Sequence, residues 1–255
     1  MKKVLKTIQL SATRLTNNGV IYVLPDIIIK IITLVTLIYL WRVVIVSGVD
    51  VGITVEQMTT YTFTSSVLAD MLSVKTPATG WLSEGILLKM YNRPMSVVAQ
   101  LIAETVGGWI PSLLMFSLPM VLISPLLNVK VTNLSLLFFV SLLLCISLGF
   151  AIEILFACLS IKMKNTNWLV SRIRIAITAL LSGTIIPINL LPFGLAKLLK
   201  YQPFASLGGA PLATLSGMVD GYDIVLLQAA WNLILWPVAI IVFRKSQEGM
   251  VSYGG

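Results

Sequence analysis

The sequence SGTIIPINLLPFGLAKLLKYQPFASLGGAPLATLSG, residues 182–217, decides the fold, because it is apolar and yet repeatedly interrupted by helix-breaking residues. The interruptions are Pro187, Pro192, Pro203 and Pro211, together with Gly183, Gly194, Gly208, Gly209 and Gly217. Proline lacks a backbone donor and disfavours helix at the residue before it, so no single helix runs through this stretch. We expect one helix to end near Pro187 and two short helical pieces to follow, over residues 192–201 and 203–216.

Neither short piece is long enough to cross a bilayer, which takes about 20 residues of helix. In one interpretation, residues 187–217 form a re-entrant hairpin enclosed by protein, because lipid cannot satisfy the free backbone groups of broken helices. In the other, the stretch is an external loop with one helix lying on the membrane surface. Composition alone does not decide between them.

The whole chain has the composition of a polytopic membrane protein. Of its 255 residues, 57% are hydrophobic and 11% are charged, whereas soluble domains carry about 25% charged residues. We therefore predict a single transmembrane domain over residues 1–255, with almost nothing left for a soluble domain. The formal net charge is +8, but the basic residues lie at the ends of apolar segments, where they set topology. We accordingly expect membrane lipid, and no nucleic acid, among the partners.

The apolar segments predict an all-α fold with six transmembrane helices. These cover about residues 20–46, 54–74, 96–123, 133–160, 168–186 and 222–243. Residues 1–19 carry apolar side chains at helical spacing with basic ones off that stripe, which predicts an amphipathic helix on the membrane surface. A signal peptide is the alternative, although its continuous apolar core is missing. A short cytoplasmic helix fits residues 80–94, where Arg93-Pro94 ends it.

Two local patterns predict particular contacts. Asp26 and Lys30 lie one helical turn apart in the first predicted span, so they can pair, or the lysine can reach the membrane surface. Ala99, Ala103 and Gly107 recur every four residues in the third, which allows another helix to approach closely.

Catalytic and nucleotide-binding motifs are missing from the sequence. There is no histidine, and neither HExxH, GxSxG nor CxxC occurs. Gly80 and Gly85 have the glycine spacing of a phosphate-binding loop, but Ile86 and Leu87 stand where it needs lysine and a hydroxyl residue. The two cysteines are thirteen residues apart on one predicted helix, so about 20 Å separates them and they cannot bridge. We expect no enzyme activity, cofactor or metal in this chain, and any ATP-driven work requires a second polypeptide.

Hydroxyl side chains are concentrated in the second and fifth predicted spans. Thr60 and Thr64 lie in the second, and Ser171, Thr178 and Ser182 lie near one face of the fifth. Such side chains either bond across packed helices or line a wet path through the membrane. Both interpretations stay open from the residues alone.

Two sets of motifs resemble one family. The first is Ser-Gly, Ile-Pro, Leu-Pro-Phe, Gln-Pro-Phe, Ala-Pro-Leu and a closing Ser-Gly within residues 182–217. The second is Glu84-Gly85, Arg93-Pro94, Ala103-Glu104 and Gly107. Together they resemble the membrane (permease) subunit of bacterial type-2 ABC exporters. The resemblance implies a re-entrant hairpin on the outer side, between the fifth and sixth spans.

The resemblance also implies partners and site residues. A cytoplasmic ABC ATPase in two copies would bind ATP and magnesium, and a second permease, identical or paralogous, would complete the path. The implied ATPase-coupling residues are Glu84, Gly85, Leu88, Arg93 and Pro94. The implied translocation-path residues are Thr60, Thr64, Ser171, Thr178 and Ser182. The implied outer-gate residues are Pro192, Pro203, Phe204 and Pro211. For Glu84 and Arg93 the alternative is a solvated loop without a partner.

The expected function is therefore half of the translocation path for an amphiphilic cargo, such as a peptide, lipid or drug, in the bacterial cytoplasmic membrane. Small hydroxyls among aliphatic side chains suit such a cargo better than a sugar polymer, for which family members use aromatic-lined channels. The alternatives are a stand-alone secondary transporter, and a membrane-embedded enzyme or assembly factor without an ATPase partner. The sequence identifies neither the cargo nor the partner permease.

Basic residues predict the topology. Thirteen lie in segments that the six-span scheme places inside, and four lie outside, namely Arg42, Lys130, Lys197 and Lys200. Since cytoplasmic segments carry the excess of lysine and arginine, both termini should be cytoplasmic. A membrane-impermeant thiol reagent added outside should label a cysteine placed at Gly221 and spare one placed at Ser83. The opposite labelling would invert the scheme.

Overall fold

The structure, a computed structural model, describes residues 2–17, 23–47, 52–78, 90–127, 129, 134–162 and 167–251. Helices make up 79% of it, and these residues contain no strand. The all-α expectation is therefore confirmed.

Eleven α-helices are labelled in chain order within the described residues. They are α1 (Lys2–Asn17), α2 (Leu24–Val46), α3 (Val55–Val67), α4 (Ala69–Leu72), α5 (Val97–Ser112), α6 (Leu118–Ile123), α7 (Leu136–Lys162), α8 (Asn167–Leu181), α9 (Leu195–Leu199), α10 (Gly209–Leu215) and α11 (Gly221–Val251). A π-helical turn, Leu113–Ser117, joins α5 to α6 and lies between Pro111 and Pro119.

Four helical segments are long and apolar enough to cross a membrane. They are Leu24–Val46, Val97–Ile123, Leu136–Ser160 and Gly221–Ser246, with mean hydropathies between 1.8 and 2.5. By length and composition the chain thus has the character of a multi-pass membrane protein. The expected second and fifth spans are shorter, since α3 has 13 residues and α8 has 15. A 15-residue helix reaches about 22 Å, less than the hydrocarbon core of about 30 Å.

The early ends of these two helices have separate causes. The carbonyl of Val67, at the end of α3, accepts a hydrogen bond from Ser117 Oγ at 2.7 Å, and the chain turns at Leu68 before α4. The expected end of α8 near Pro187 is wrong. The helix ends at Leu181 because Gly183 adopts a left-handed conformation (φ 78°) two residues later.

The core is built around α7. In its most apolar window 56% of the residues are buried, against 6% for α2. The helices α8, α10 and α11 pack on α7, while α2 lies at the periphery and exposes a row of isoleucines and valines. Both cysteines lie buried in α7, and neither forms a disulfide.

Helix α1 packs along α5, as the small-residue spacing predicted for some helix. A Cβ added at Gly107 would lie 2.7 Å from Ser11 Cβ, so only glycine permits this approach. Ser11 Oγ also donates a hydrogen bond to the carbonyl of Glu104 at 2.7 Å. The position of α1 at the membrane surface stays a prediction.

The proline-rich stretch folds into two short helices, but with other bounds than expected. α9 begins at Leu195, after Phe193 and Gly194 adopt left-handed conformations (φ 61° and 74°). Consecutive turns occupy residues 203–208, and α10 begins only at Gly209. Each helix therefore starts later than the preceding proline suggested, because the turn itself takes several residues.

The two short helices are buried to different degrees. α10 packs against α7 and α3, and its Leu212 is 0% exposed. In contrast, Phe193 is 96% and Leu198 73% exposed within this chain, and α9 packs mainly on the turn Ile188–Leu190. Within this chain Phe193 and Leu198 are therefore not enclosed by protein, whereas α10 lies on the second and fourth predicted spans.

Three consecutive carbonyls after α8 each receive a donor from elsewhere in the chain. Ser182 O accepts from Gly209 N at 2.7 Å. Gly183 O accepts from Tyr61 Oη at 2.5 Å, and Thr184 O accepts from Ser65 Oγ at 2.8 Å. The two hydroxyls lie one turn apart on α3, so α3 supplies the donors that the broken helix lacks.

We expect Tyr61→Phe to destabilise the protein even though the ring still packs. The substitution leaves the buried carbonyl of Gly183 without its donor, which costs about 1–3 kcal/mol. Thermal unfolding of the detergent-purified protein should show a lowered midpoint. Tyr222→Phe is the matched control, since Tyr222 is 71% exposed, and an equal effect of both substitutions would contradict the assigned role.

Candidate functional site

A lysine holds three helices together near one end of the structure. Lys30 Nζ lies 2.7 Å from Asp26 Oδ2 and 2.9 Å from Asp70 Oδ2, and it donates to Ser112 Oγ at 2.8 Å. An ammonium has three donors, and all three are used. The predicted pairing with Asp26 is confirmed, whereas Asp70 and Ser112, on α4 and α5, were not foreseen. These four residues are called the inner ionic cluster.

The inner ionic cluster separates two cavities. Asp26, Asp70 and Ser112 border a cleft of about 580 Å³, where α1, α5 and the segment after α4 also contribute side chains. Lys30 borders a smaller groove of about 210 Å³ between α2 and α3. Ser73 borders both. Lys30 thus borders one cavity, and the carboxylates that it binds border the other.

A second ion pair is buried between α7 and α8. Arg174 Nη1 lies 2.8 Å from Glu153 Oε2, and the two side chains are 7% and 1% exposed. The other carboxylate oxygen accepts from Thr76 N at 3.0 Å, and the same guanidinium nitrogen donates to Val74 O at 3.0 Å. Glu153 Oε2 and Arg174 Nε have no hydrogen-bond partner of good geometry, so proximity of opposite charges holds this pair.

The residues expected to line a path are mostly packed inside the chain. Thr60 is 2%, Thr64 7%, Thr178 7% and Ser182 0% exposed, and Ser171 is partly exposed. Their low exposure leaves little of these side chains facing open space within the described residues, and their path role stays a prediction.

Other hydroxyls border open space instead. Ser65, Ser66 and Thr184 line the groove beside Lys30. Ser65 and Ser66 directly follow Thr64 and belong to the same hydroxyl-rich segment of the sequence. Thr184 could not be found this way, because it lies beyond the end of α8.

Of the five expected coupling residues, two lie within the described residues and three lie outside them. Glu84, Gly85 and Leu88 lie outside the described residues. Pro94 is exposed, and Arg93, 54% exposed, pairs through Nη1 with Glu104 Oε1 at 3.3 Å.

Sequence reasoning missed Gln100, which fixes the junction between this segment and α5. Its side chain is 0% exposed, and its amide donates to the carbonyls of Met90 and Met95 at 2.9 and 2.8 Å. A glutamine in an otherwise apolar helix was the available signal. Ser96 caps the same helix through Ala99 N.

The expected outer-gate residues occupy both halves of the hairpin. Pro192 is exposed, Pro203 and Phe204 are partly buried, and Pro211 is buried in α10. Phe204 packs on the cluster that contains Tyr61 and Leu72 of the second predicted span. Gln202 Nε2 donates to the carbonyl of Leu181 at 2.8 Å, so the turn between the two short helices is tied to the end of α8.

No group of three histidine, cysteine, aspartate or glutamate side chains that could hold a metal ion occurs within the described part of the chain. No family model matches the sequence, and no curated protein matches it significantly. Function is therefore inferred from the residues and from the geometry of the two ion clusters, the grooves and the hairpin.

We expect Glu153→Gln to destabilise the protein strongly, because it leaves Arg174 buried without its counter-charge. Breaking a buried pair from one side costs about 3–5 kcal/mol, while replacing both partners is often close to neutral. The double substitution Glu153→Gln with Arg174→Met should therefore unfold at a higher temperature than Glu153→Gln alone. Arg172→Met on the exposed side of α8 is the control, and additive losses in the double variant would argue against coupling.

Proposed function

We propose that the chain is the membrane-spanning permease subunit of an ATP-driven ABC exporter, forming half of the translocation path for an amphiphilic cargo. The observation that carries the proposal is the way residues 182–217, which hold the family-like motifs, are built into the helical core. The carbonyls of Ser182, Gly183 and Thr184 accept hydrogen bonds from α3 and α10, and α10 is buried against α7. A surface loop has no need of such an arrangement, whereas a hairpin at membrane depth requires it.

In the proposed topology six segments cross a bacterial cytoplasmic membrane, with both termini inside. The four long apolar helices supply four crossings, and α3–α4 together with α8 supply the two shorter ones. Helix α1 lies on the cytoplasmic surface, and residues 187–217 form the outer re-entrant hairpin. The basic asymmetry of the sequence supports this orientation.

The proposed energy source is a separate ATPase in two copies, which binds ATP and magnesium. It docks on residues 80–94, and Arg93, Glu104 and Gln100 connect this segment to α5. A second permease, identical or paralogous, faces the first. The groove lined by Ser65, Ser66 and Thr184 among aliphatic side chains suits a cargo with both polar and apolar parts.

A stand-alone secondary transporter is the second candidate, favoured by one observation. The inner ionic cluster places a lysine and two aspartates among predicted spans, and ionisable groups inside a membrane commonly mark ion coupling. The two candidates differ in their energy source. Asp70→Asn should abolish transport driven by an ion gradient, but should leave ATP hydrolysis by a permease–ATPase complex measurable.

We expect Glu84→Lys to reduce copurification of the ATPase while the permease still inserts into membranes. Truncating or reversing one partner of a partly buried charged contact costs about 2–5 kcal/mol, which is a loss of roughly 30-fold or more in affinity. The measurement is the amount of ATPase recovered with tagged permease, together with ATP hydrolysis by the complex. Arg244→Glu, at the far end of α11, is the control. Full recovery and hydrolysis with Glu84→Lys would remove this residue from the docking site.

Locking the hairpin should stop the hydrolysis cycle and leave ATP binding intact. A Cβ added at Gly208 would lie 3.2 Å from Leu72 Cβ, close to the disulfide range of about 3.5–4.5 Å. It would also meet Thr184 Cγ2, so Thr184→Ser removes the methyl and keeps the hydroxyl. The variant is Leu72→Cys, Gly208→Cys and Thr184→Ser.

The oxidised variant is compared with its own reduced form and with each single-cysteine variant. Phosphate release should fall only in the oxidised form, and a fluorescent ATP analogue should bind equally to both. Equal turnover in the oxidised and reduced forms would show that the hairpin does not move relative to the second span during the cycle.

A further inference from the structure

A cavity of about 330 Å³ lies beside the hairpin and has no part in the proposed path. Ligand pockets in proteins range from about 300 to 1,000 Å³. Its walls come from the Pro187–Ile188 turn, from α10 and from the first turns of α11. The apolar lining includes Ile188, Ala210, Ala213, Ile224, Leu226 and Leu227.

Polar side chains also border this cavity, and three of them, Ser206, Lys200 and Asp223, carry the argument beside Tyr61, Asn189 and Tyr201. Ser206 is 2% exposed, and its hydroxyl has no hydrogen-bond partner. Its backbone carbonyl accepts from Gln228 Nε2 at 2.8 Å, which fixes the residue in place. Lys200 and Asp223, both exposed, supply a positive and a negative charge at the rim.

The cavity borders a surface that a bilayer would cover. Of its lining residues, Leu226 is 69% and Tyr201 64% exposed. Leu226 lies in the membrane-long helix Gly221–Ser246, and the carbonyl of Tyr201 accepts a hydrogen bond from Trp231 of that helix at 3.0 Å. Apolar side chains exposed at this level meet lipid rather than water. A ligand that enters from this side therefore arrives with its apolar part already in the membrane.

We propose that this cavity binds one zwitterionic glycerophospholipid whose headgroup ends in a primary amine. The lysine of the rim pairs with the lipid phosphate, and the carboxylate of Asp223 accepts hydrogen bonds from the ammonium. The free hydroxyl of Ser206 donates to an ester oxygen, and one acyl chain covers the apolar wall. This assignment is independent of the proposed exporter function.

Charge complementarity selects this headgroup over the other common ones. An anionic lipid pairs with Lys200 but is repelled by Asp223, and a cationic amphiphile meets the reverse problem. A quaternary ammonium carries no N–H, so it cannot donate to Asp223 as a primary ammonium can. A zwitterion with a primary amine satisfies both rim charges.

The test measures lipid binding to the purified full-length chain in detergent. Phosphatidylethanolamine, phosphatidylcholine and phosphatidylglycerol with identical acyl chains are titrated separately, and bound lipid is counted by native mass spectrometry. We expect one phosphatidylethanolamine to bind about tenfold more tightly than either of the others. Lys200→Asp and Asp223→Lys should each abolish this preference, and the double charge swap should restore it.

The controls separate this site from general attraction to lipid. Lys197→Asp and Asp220→Lys change charge near the hairpin without touching the cavity, and they should leave the preference unchanged. Ala213→Phe fills the cavity and should remove the bound lipid while the thermal unfolding midpoint is kept. Equal binding of the three lipids, or an unchanged preference after either rim reversal or after filling, would overturn the proposal. So would a preference for phosphatidylglycerol that Lys200→Asp alone removes.

Discussion

The fold depends on supplying hydrogen-bond donors to the backbone carbonyls that follow the end of α8, in an apolar setting. Backbone groups released at such a break find no partner in lipid, so the protein must supply one for each. After α8 ends, three successive carbonyls are met by Gly209 N, Tyr61 Oη and Ser65 Oγ. These bonds fix α3 and α10 against the end of α8, and α10 in turn fills the space beside α7. The packing of four helices thus follows from one interrupted stretch of sequence.

The same constraint gives the hydroxyl-rich second segment a structural purpose. Tyr61 and Ser65 donate hydrogen bonds to the backbone carbonyls of Gly183 and Thr184. Ser117, between α5 and α6, donates to the carbonyl of Val67. Of the two interpretations of these hydroxyls, bonding across packed helices accounts for the ones with assigned partners. Ser66 borders the groove beside Lys30. A path, if it follows this groove, runs beside Ser65 and Thr184, whose hydrogen bond also holds the hairpin.

How much of this was predictable depends on the range of the interaction. Composition and periodicity predicted the all-α fold, the division of residues 182–217 into two short helices, and a possible Asp26–Lys30 pair, because these are local properties. The early end of α3 was not predictable, since it depends on a hydroxyl fifty residues away. The Glu153–Arg174 pair joins two helices whose relative rotation no single-sequence pattern specifies. Turns also occupy residues that the proline positions had predicted to be helical. The helices α9 and α10 therefore begin later in the sequence than expected.

The segment that leads from α4 to the predicted coupling residues is bound on two sides. In the proposed exporter these contacts have a mechanical consequence. Asp70 is held by Lys30 on α2, while Val74 and Thr76 are held by Arg174 and Glu153 on α8 and α7. A displacement of residues 80–94 by an ATPase would pull on this segment directly. Under this pull the contacts of Asp70 would break before those of Glu153, because Asp70 is 35% exposed and shares Lys30 with two other acceptors, whereas the Glu153 carboxylate is almost fully enclosed. Opening would therefore begin between the cleft and the groove, while the buried pair keeps α7 and α8 in register.

On the far side, α9 has fewer buried contacts than α10, so α9 is the part of the hairpin that can follow such a movement without unpacking the core.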